Sequence, residues 1–98
     1  MSGFVLSRRA RRDLGEIWQF TAQRWGKTQA ETYTGQLVRN LHEIADQGGP
    51  AQTMEIAGRR YLRSFVGSHV LICRRETDGR LMVVRILHQS MDVGRHLK

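Results

Sequence analysis

Cysteine and proline are nearly missing: Cys73 and Pro50 are the single copies among 98 residues. One cysteine excludes an internal disulfide and any zinc site built on several thiolates, and it points to a reducing compartment. Long apolar runs are missing too; none approaches the roughly 18 residues of a membrane span. Arg8-Arg9 is followed by Ala10-Arg11-Arg12-Asp13 where an export signal needs an apolar stretch. The chain is therefore expected to be cytoplasmic, with no membrane partner, and to keep its N-terminus. There is no Gly-rich phosphate loop, nucleophile motif or pair of inward carboxylates. Aromatics make up only 7% of the chain and are not interleaved with the basic residues, so direct nucleic-acid binding by base stacking is not expected.

What is present describes one folded domain, residues 1–98. Apolar residues make up 40% and charged residues 26%, the balance of a folded rather than a disordered chain. A core of this size has room for two layers of secondary structure, which leaves no place for a self-contained cofactor-binding fold; no cofactor is expected. The net charge is +7. Residues 1–53 hold seven basic and five acidic side chains, and residues 54–98 hold nine and four, so the C-terminal half carries most of the excess. Such a chain seeks an anionic partner, either nucleic acid or an acidic protein segment.

Residues 3–6 read as a short strand. Ser7 is placed to cap a helix. Ala10, Leu14, Ile17, Trp18, Thr21, Ala22 and Trp25 form one helical stripe, which Gly26 ends. Thr28-Gln29-Ala30-Glu31 has the form of a capping box for a second helix, with Ala30, Tyr33, Leu37, Leu41 and Ile44 as its apolar stripe and Gly48-Gly49-Pro50 as its stop. From residue 61 the period becomes two. Residues 61–66, 69–75 and 80–89 read as a three-stranded meander turning at Gly67-Ser68 and Asp78-Gly79. Met91–Leu97 makes a helical turn or a tail. The fold class is α+β: an N-terminal strand and a helical hairpin packed on one face of a small antiparallel sheet, the other face left uncovered.

In the last strand, strict alternation puts Met82, Val84, Ile86 and His88 on one face and Leu81, Val83, Arg85 and Leu87 on the other. Arg85 then sits among hydrophobic residues. Either a carboxylate neighbours it or it aims at an anion on the open face. Arg63 can lie close to Arg85, where two cations repel unless an anion joins them. Arg8, Arg9, Arg11 and Arg12 crowd the first turn of helix one against its dipole, as a solvated surface or as a docking patch. Trp18 and Trp25 read as packing residues and Cys73 as an inert small hydrophobe. His42 reads as surface. No metal site is expected, because His69, His88 and His96 lack helical metal-pair spacing and have no neighbouring Cys or carboxylate cluster. Any chemistry would rest on Arg and His, as in phosphodiester cleavage by His69 or His88 with Arg63 and Arg85.

The particular words now matter. Leu6-Ser7-Arg8-Arg9-Ala10-Arg11-Arg12-Asp13-Leu14 followed by Ile17-Trp18 resembles the opening of ParE toxins, Leu-x-x-x-Ala-x-x-Asp-Leu-x-x-Ile. Trp25-Gly26, Ala30 and Tyr33 fit the same pattern. Leu62-Arg63-Ser64-Phe65 with Gly67-Ser68-His69 is similar to that family's second strand and turn. Arg85-Ile86-Leu87-His88, Met91-Asp92 and Arg95-His96-Leu97 are similar to its C-terminal signature. The resemblance covers essentially the whole chain. It implies the ParE/RelE superfamily of type II toxins, a ParD-like antitoxin as partner in a hetero-oligomer, and DNA gyrase as target of a non-catalytic toxin. RelE-like relatives instead cleave messenger RNA in the ribosome, using basic residues and a C-terminal tyrosine. Here the tyrosines are Tyr33 and Tyr61, and Cys73 stands where many relatives carry an aromatic, so the resemblance favours the ParE branch. Gln89-Ser90 departs from the Gly-Arg or Glu-Arg usual in that branch. The residues implied for target or antitoxin contact are Arg63, Arg85, His88, Met91, Asp92, Arg95 and His96. Arg8, Arg9, Arg11 and Arg12 are expected to form a basic patch for an acidic, amphipathic antitoxin segment.

Overall fold

A three-residue strand has no stability of its own, so its position depends on what it pairs with. In a computed structural model, which describes residues 3–47, 49 and 51–97, β1 (Phe4–Leu6) adds in parallel to the last strand, Phe4 opposite Leu81 and Leu6 opposite Val83. Between them run α1 (Arg8–Trp25), α2 (Lys27–Gln47), β2 (Gln52–Ile56), β3 (Arg59–Val66), β4 (His69–Arg75) and β5 (Leu81–His88), followed by α3 (Val93–His96). The strand order is β1-β5-β4-β3-β2. All neighbours except β1 and β5 are antiparallel. The sheet is therefore mixed.

The core lies between the helices and one sheet face. Ala10 and Ile17 of α1 and Leu37, Leu41 and Ile44 of α2 pack on Leu71, Cys73, Leu81, Val83 and Ile86. The Cys73 thiol is buried there, and burial pushes its pKa up to about 12, so it stays a protonated, inert filler. The helix joint is Gly26, at φ +93°. The capping box does not form. α2 begins at Lys27, so Thr28 already lies in its first turn, and the Gly26 carbonyl accepts from the Ala30 amide instead. Of the Gly48-Gly49-Pro50 stop, Gly48 and Pro50 lie outside the described residues.

Four expectations are corrected. β2 joins the meander as a fourth antiparallel strand. Its turn to β3 uses Ala57 and Gly58 at φ +53° and +78°, a conformation normally announced by Asn-Gly, so the hairpin carries no recognisable signal. The strict alternation of β5 fails at a bulge. Ile72 pairs with Arg85 but Cys73 pairs with Val83, so Val84 is the extra residue and the faces exchange beyond it. Leu81, Val83 and Ile86 consequently face the helices, while Val84 and Leu87 face away. The second face is not bare. Val93 and Leu97 of the C-terminal turn pack there with Tyr61, Val70, Ile72 and Leu87. Trp25 is not a packing residue. It stands 62% exposed, because the buried line of α1 runs through Ala10, Asp13, Ile17 and Thr21.

Asp13 on that line meets β5 just beyond the bulge. β1 ends at Leu6, which leaves the rest of β5 without a strand neighbour on that side. Ser7 takes over first. Its amide donates to the Val83 carbonyl at 2.9 Å and its hydroxyl to the Val84 carbonyl at 2.7 Å, while the same oxygen accepts from the Ala10 amide as the cap of α1. One turn later Asp13 follows. Its carboxylate accepts from the Ile86 amide at 3.0 Å and from Arg85 Nε and Nη2 at 2.8 and 3.0 Å. Arg85 Nη1 reaches the His96 carbonyl at 3.3 Å and ties down α3. Both side chains are largely buried, so removing one partner strands the other. Asp13→Ala is expected to lower unfolding stability by about 3–5 kcal/mol in chemical denaturation, and adding Arg85→Leu to recover part of that loss. A loss below about 1 kcal/mol for Asp13→Ala, the level of an exposed pair, contradicts this.

Candidate functional site

Three grooves surround α1. The first, of about 510 Å³, lies between α1 and the C-terminal end of β5, and Arg85, His88, Met91 and His96 all line it. The second, also about 510 Å³, shares Phe20, His69 and His88 with the first and adds Arg24, Trp25 and Tyr33. The third, of about 550 Å³, runs along the outer seam of the two helices and is lined by Arg11, Trp18 and Val38 with Gly15 and Gly35. A Cβ built on either glycine meets nothing within 4 Å. Neither residue is therefore demanded by packing, and neither adds a side chain to that seam.

The first two grooves meet at a pair of histidines. His69 of β4 and His88 of β5 are direct cross-strand partners, with ring centroids 5.5 Å apart and planes at 80°. Each ring is fixed through Nδ1. His69 Nδ1 lies 2.6 Å from the Tyr33 hydroxyl, which also accepts from the Ser68 amide at 3.0 Å and donates to the Val66 carbonyl at 3.3 Å. All three contacts are satisfied when His69 donates from Nδ1, which leaves a lone pair on Nε2. The β3–β4 turn must be glycine for this to work. Gly67 sits at φ +56°, and a Cβ there would fall 2.7 Å from the Tyr33 ring. His88 Nδ1 accepts from the Ser90 amide at 3.2 Å, with the Ser90 hydroxyl at 2.7 Å. Burial, then the neighbouring His88, hold His69 below the ordinary imidazole value, with the Asp13 charge acting the other way. His69 is therefore neutral at pH 7.

A cation and two aromatic rings flank the histidines. Phe20 and Trp25 are 55% and 62% exposed, and the Arg24 guanidinium lies 5.3 and 5.4 Å from their centroids. Met91, 45% exposed, adds an apolar side chain to the first groove. Large apolar side chains gathered beside a groove mark a surface built for contact.

The structure brings together four of the seven residues named for contact and separates three. Arg63 is on the second face, stacked 5.5 Å from the Phe65 centroid. It shares a cross-strand row with Arg85, but Ile72 stands between them. Among the described residues no anion joins the two, and Arg85 is engaged by Asp13. Asp92 caps α3 through the Gly94 amide at 3.1 Å, and Arg95 is exposed on that turn. Arg8, Arg9, Arg11 and Arg12 are all exposed, and Arg11 heads the outer seam. His42 is exposed beside Phe4. Sequence reasoning missed the roles of Asp13, Phe20, Arg24 and Tyr33. Asp13 did carry a signal: an acid three residues after Ala10 and four before Ile17 falls inside the apolar stripe. Among the described residues, no helix is long and apolar enough to cross a membrane.

Comparison with known proteins gives a consistent result. The family model described as "ParE toxin of type II toxin-antitoxin system, parDE" matches residues 4–93. A protein of Caulobacter vibrioides named Toxin ParE1 is 40% identical over 97 residues, 99% of either chain. A Mycobacterium tuberculosis protein, also named Toxin ParE1, is 38% identical over 96 residues, 98% of either chain. A solved structure titled "Chromosomal ParDE TA system from P. aeruginosa" shares the fold, with a TM-score of 0.73 over 90% of this chain and 96% of that one at 19% identity. With the family model spanning nearly the whole chain and two full-length relatives at this identity, the chain belongs to the ParE toxin family of type II toxin–antitoxin systems.

Proposed function

We propose that this toxin acts as a single domain in the cytoplasm, inhibits DNA gyrase by binding rather than by catalysis, and is neutralised by a ParD-like antitoxin in a hetero-oligomer. The observation that carries the non-catalytic reading is the state of Arg85. A ribonuclease of the RelE kind needs a free cation at the scissile phosphate. Arg85 instead spends both ends of its guanidinium on Asp13 and the His96 carbonyl, and Arg63 lies two strands away. What remains exposed is a contact surface: Phe20, Trp25, Met91 and His88 around the two grooves. In a supercoiling assay, micromolar toxin is expected to inhibit gyrase and to accumulate its cleaved complex with DNA. Absence of both effects rejects gyrase as target. Cuts in messenger RNA at the ribosomal A site, lost on Arg85→Ala, would favour the ribonuclease reading instead.

The antitoxin segment is assigned to the outer seam of α1 and α2 and the adjoining sheet edge. Two features support it. The seam is apolar through Leu14, Trp18 and Val38, and the exposed Arg8–Arg12 cluster at its head suits acidic side chains. Charges at an interface rim act mainly on association rate. Reversing Arg9 and Arg12 to Glu is expected to slow antitoxin association about tenfold at low salt, with the difference shrinking as salt is added. An unchanged rate removes the cluster from the interface.

A further inference from the structure

We infer that His69 and His88 form a two-histidine anchor for a divalent transition-metal ion, set across β4 and β5 at the junction of the two grooves. Linear spacing hides such a site, because the two residues meet only through the strand register, in which His69 stands directly opposite His88.

The geometry fits an ion. A metal binds imidazole nitrogen at about 2.0–2.1 Å, and that nitrogen lies about 1.1 Å from the ring centroid, so two imidazoles on one tetrahedral ion have centroids about 5.2 Å apart. The observed separation is 5.5 Å. On a square-planar ion such as Cu²⁺, with cis ligands at about 90°, the same arithmetic gives about 4.5 Å, so Cu²⁺ draws the rings closer together than a tetrahedral Zn²⁺ does. Both rings are already held through Nδ1, His69 by Tyr33 and His88 by Ser90, which leaves Nε2 of each as the ligand atom. A hydrogen bond on the second ring nitrogen is what orients metal-binding histidines. In the metal-free chain the His88 proton sits on Nε2, because Nδ1 accepts from the Ser90 amide; ligation moves it to Nδ1, which exchanges that amide contact for one donated to the Ser90 hydroxyl at 2.7 Å. His69 offers its Nε2 lone pair because its contacts through Tyr33 place the ring proton on Nδ1.

The donor set selects the ion. Two imidazoles suit Cu²⁺, Ni²⁺ and Zn²⁺, with Cu²⁺ tightest, and do not suit Mg²⁺ or Ca²⁺, which require oxygen. Among the described residues no group of three His, Cys, Asp or Glu side chains is assembled to hold a metal. The other coordination positions therefore belong to water. Asp13 is committed to Arg85, while Glu16 lines the same groove and is exposed. Such an open, two-ligand site holds its ion reversibly.

The test is calorimetric titration of the full chain, without a histidine tag, with Cu²⁺, Zn²⁺ and Mg²⁺ in turn. One Cu²⁺ per chain is expected, bound more tightly than Zn²⁺, with no Mg²⁺ binding. His88→Gln, at an exposed position, is expected to weaken Cu²⁺ by more than about tenfold, and Tyr33→Phe, which frees the His69 ring, by about tenfold. His42→Gln is expected to leave the affinity unchanged. Paramagnetic Cu²⁺ is expected to broaden the ring signals of His69 and His88 and to spare those of His42. Affinity unaffected by His88→Gln, or no saturable Cu²⁺ binding below the millimolar range, overturns the proposal.

Discussion

One buried ion pair holds three elements in place. Asp13 comes from the second turn of α1, Arg85 from the bulge of β5, and the Arg85 guanidinium continues to the carbonyl of His96 in α3. Two charges taken out of water cost several kcal/mol each unless their hydrogen bonds are met. Here the carboxylate accepts three, two from Arg85 and one from the Ile86 amide. Burial opposes the cation, but bonding to Asp13 outweighs it and raises the Arg85 pKa. Asp13 thus does the work of a strand neighbour where β1 has run out. A short β1, then Ser7, then Asp13 cover the free edge of β5 in sequence. An edge otherwise open to pairing with another chain is closed by a helix.

That arrangement shapes what the toxin presents. Because Asp13 fixes α1 against β5, the following turns of the helix carry Phe20, Arg24 and Trp25 outward beside His69 and His88. Because Asp13 engages Arg85, the cation that the sequence offered to an external anion is withdrawn from the surface. A cluster of four exposed arginines stands at the start of α1, while Arg24 alone lies with the aromatic cluster at the opposite end of that helix. Two kinds of surface result: a basic, shallow seam and an aromatic, histidine-rich groove. A toxin that must bind both a target and an antitoxin has a use for both.

Much of this was legible in the sequence, and the failures share a cause. The α1 and α2 stripes, the cap at Ser7, the order of elements and four of the five strands follow from local periodicity and turn chemistry. β2 was hidden because Ala57-Gly58 makes its turn without the residues that usually do. The faces of β5 were misassigned because a bulge shifts the parity, and nothing local to Val84 announces one. Trp25 looked buried by spacing, yet α1 turns a different line inward, the one bearing Asp13. At the site, the word containing Asp13 and the word containing Arg85 were both recognised, but 72 residues separate them and their union is purely tertiary. The His69–His88 pairing is of the same kind.

The most direct measurement is amide hydrogen exchange at Ile86. Among the described residues no strand covers that amide on the α1 side, and its hydrogen bond goes to the Asp13 carboxylate instead. The account predicts exchange as slow as for the β4–β5 ladder amides in the wild type, with selective loss of protection at Ile86 when Asp13 is replaced by Ala. Fast exchange at Ile86 in the wild type, or protection that survives the replacement, would contradict it.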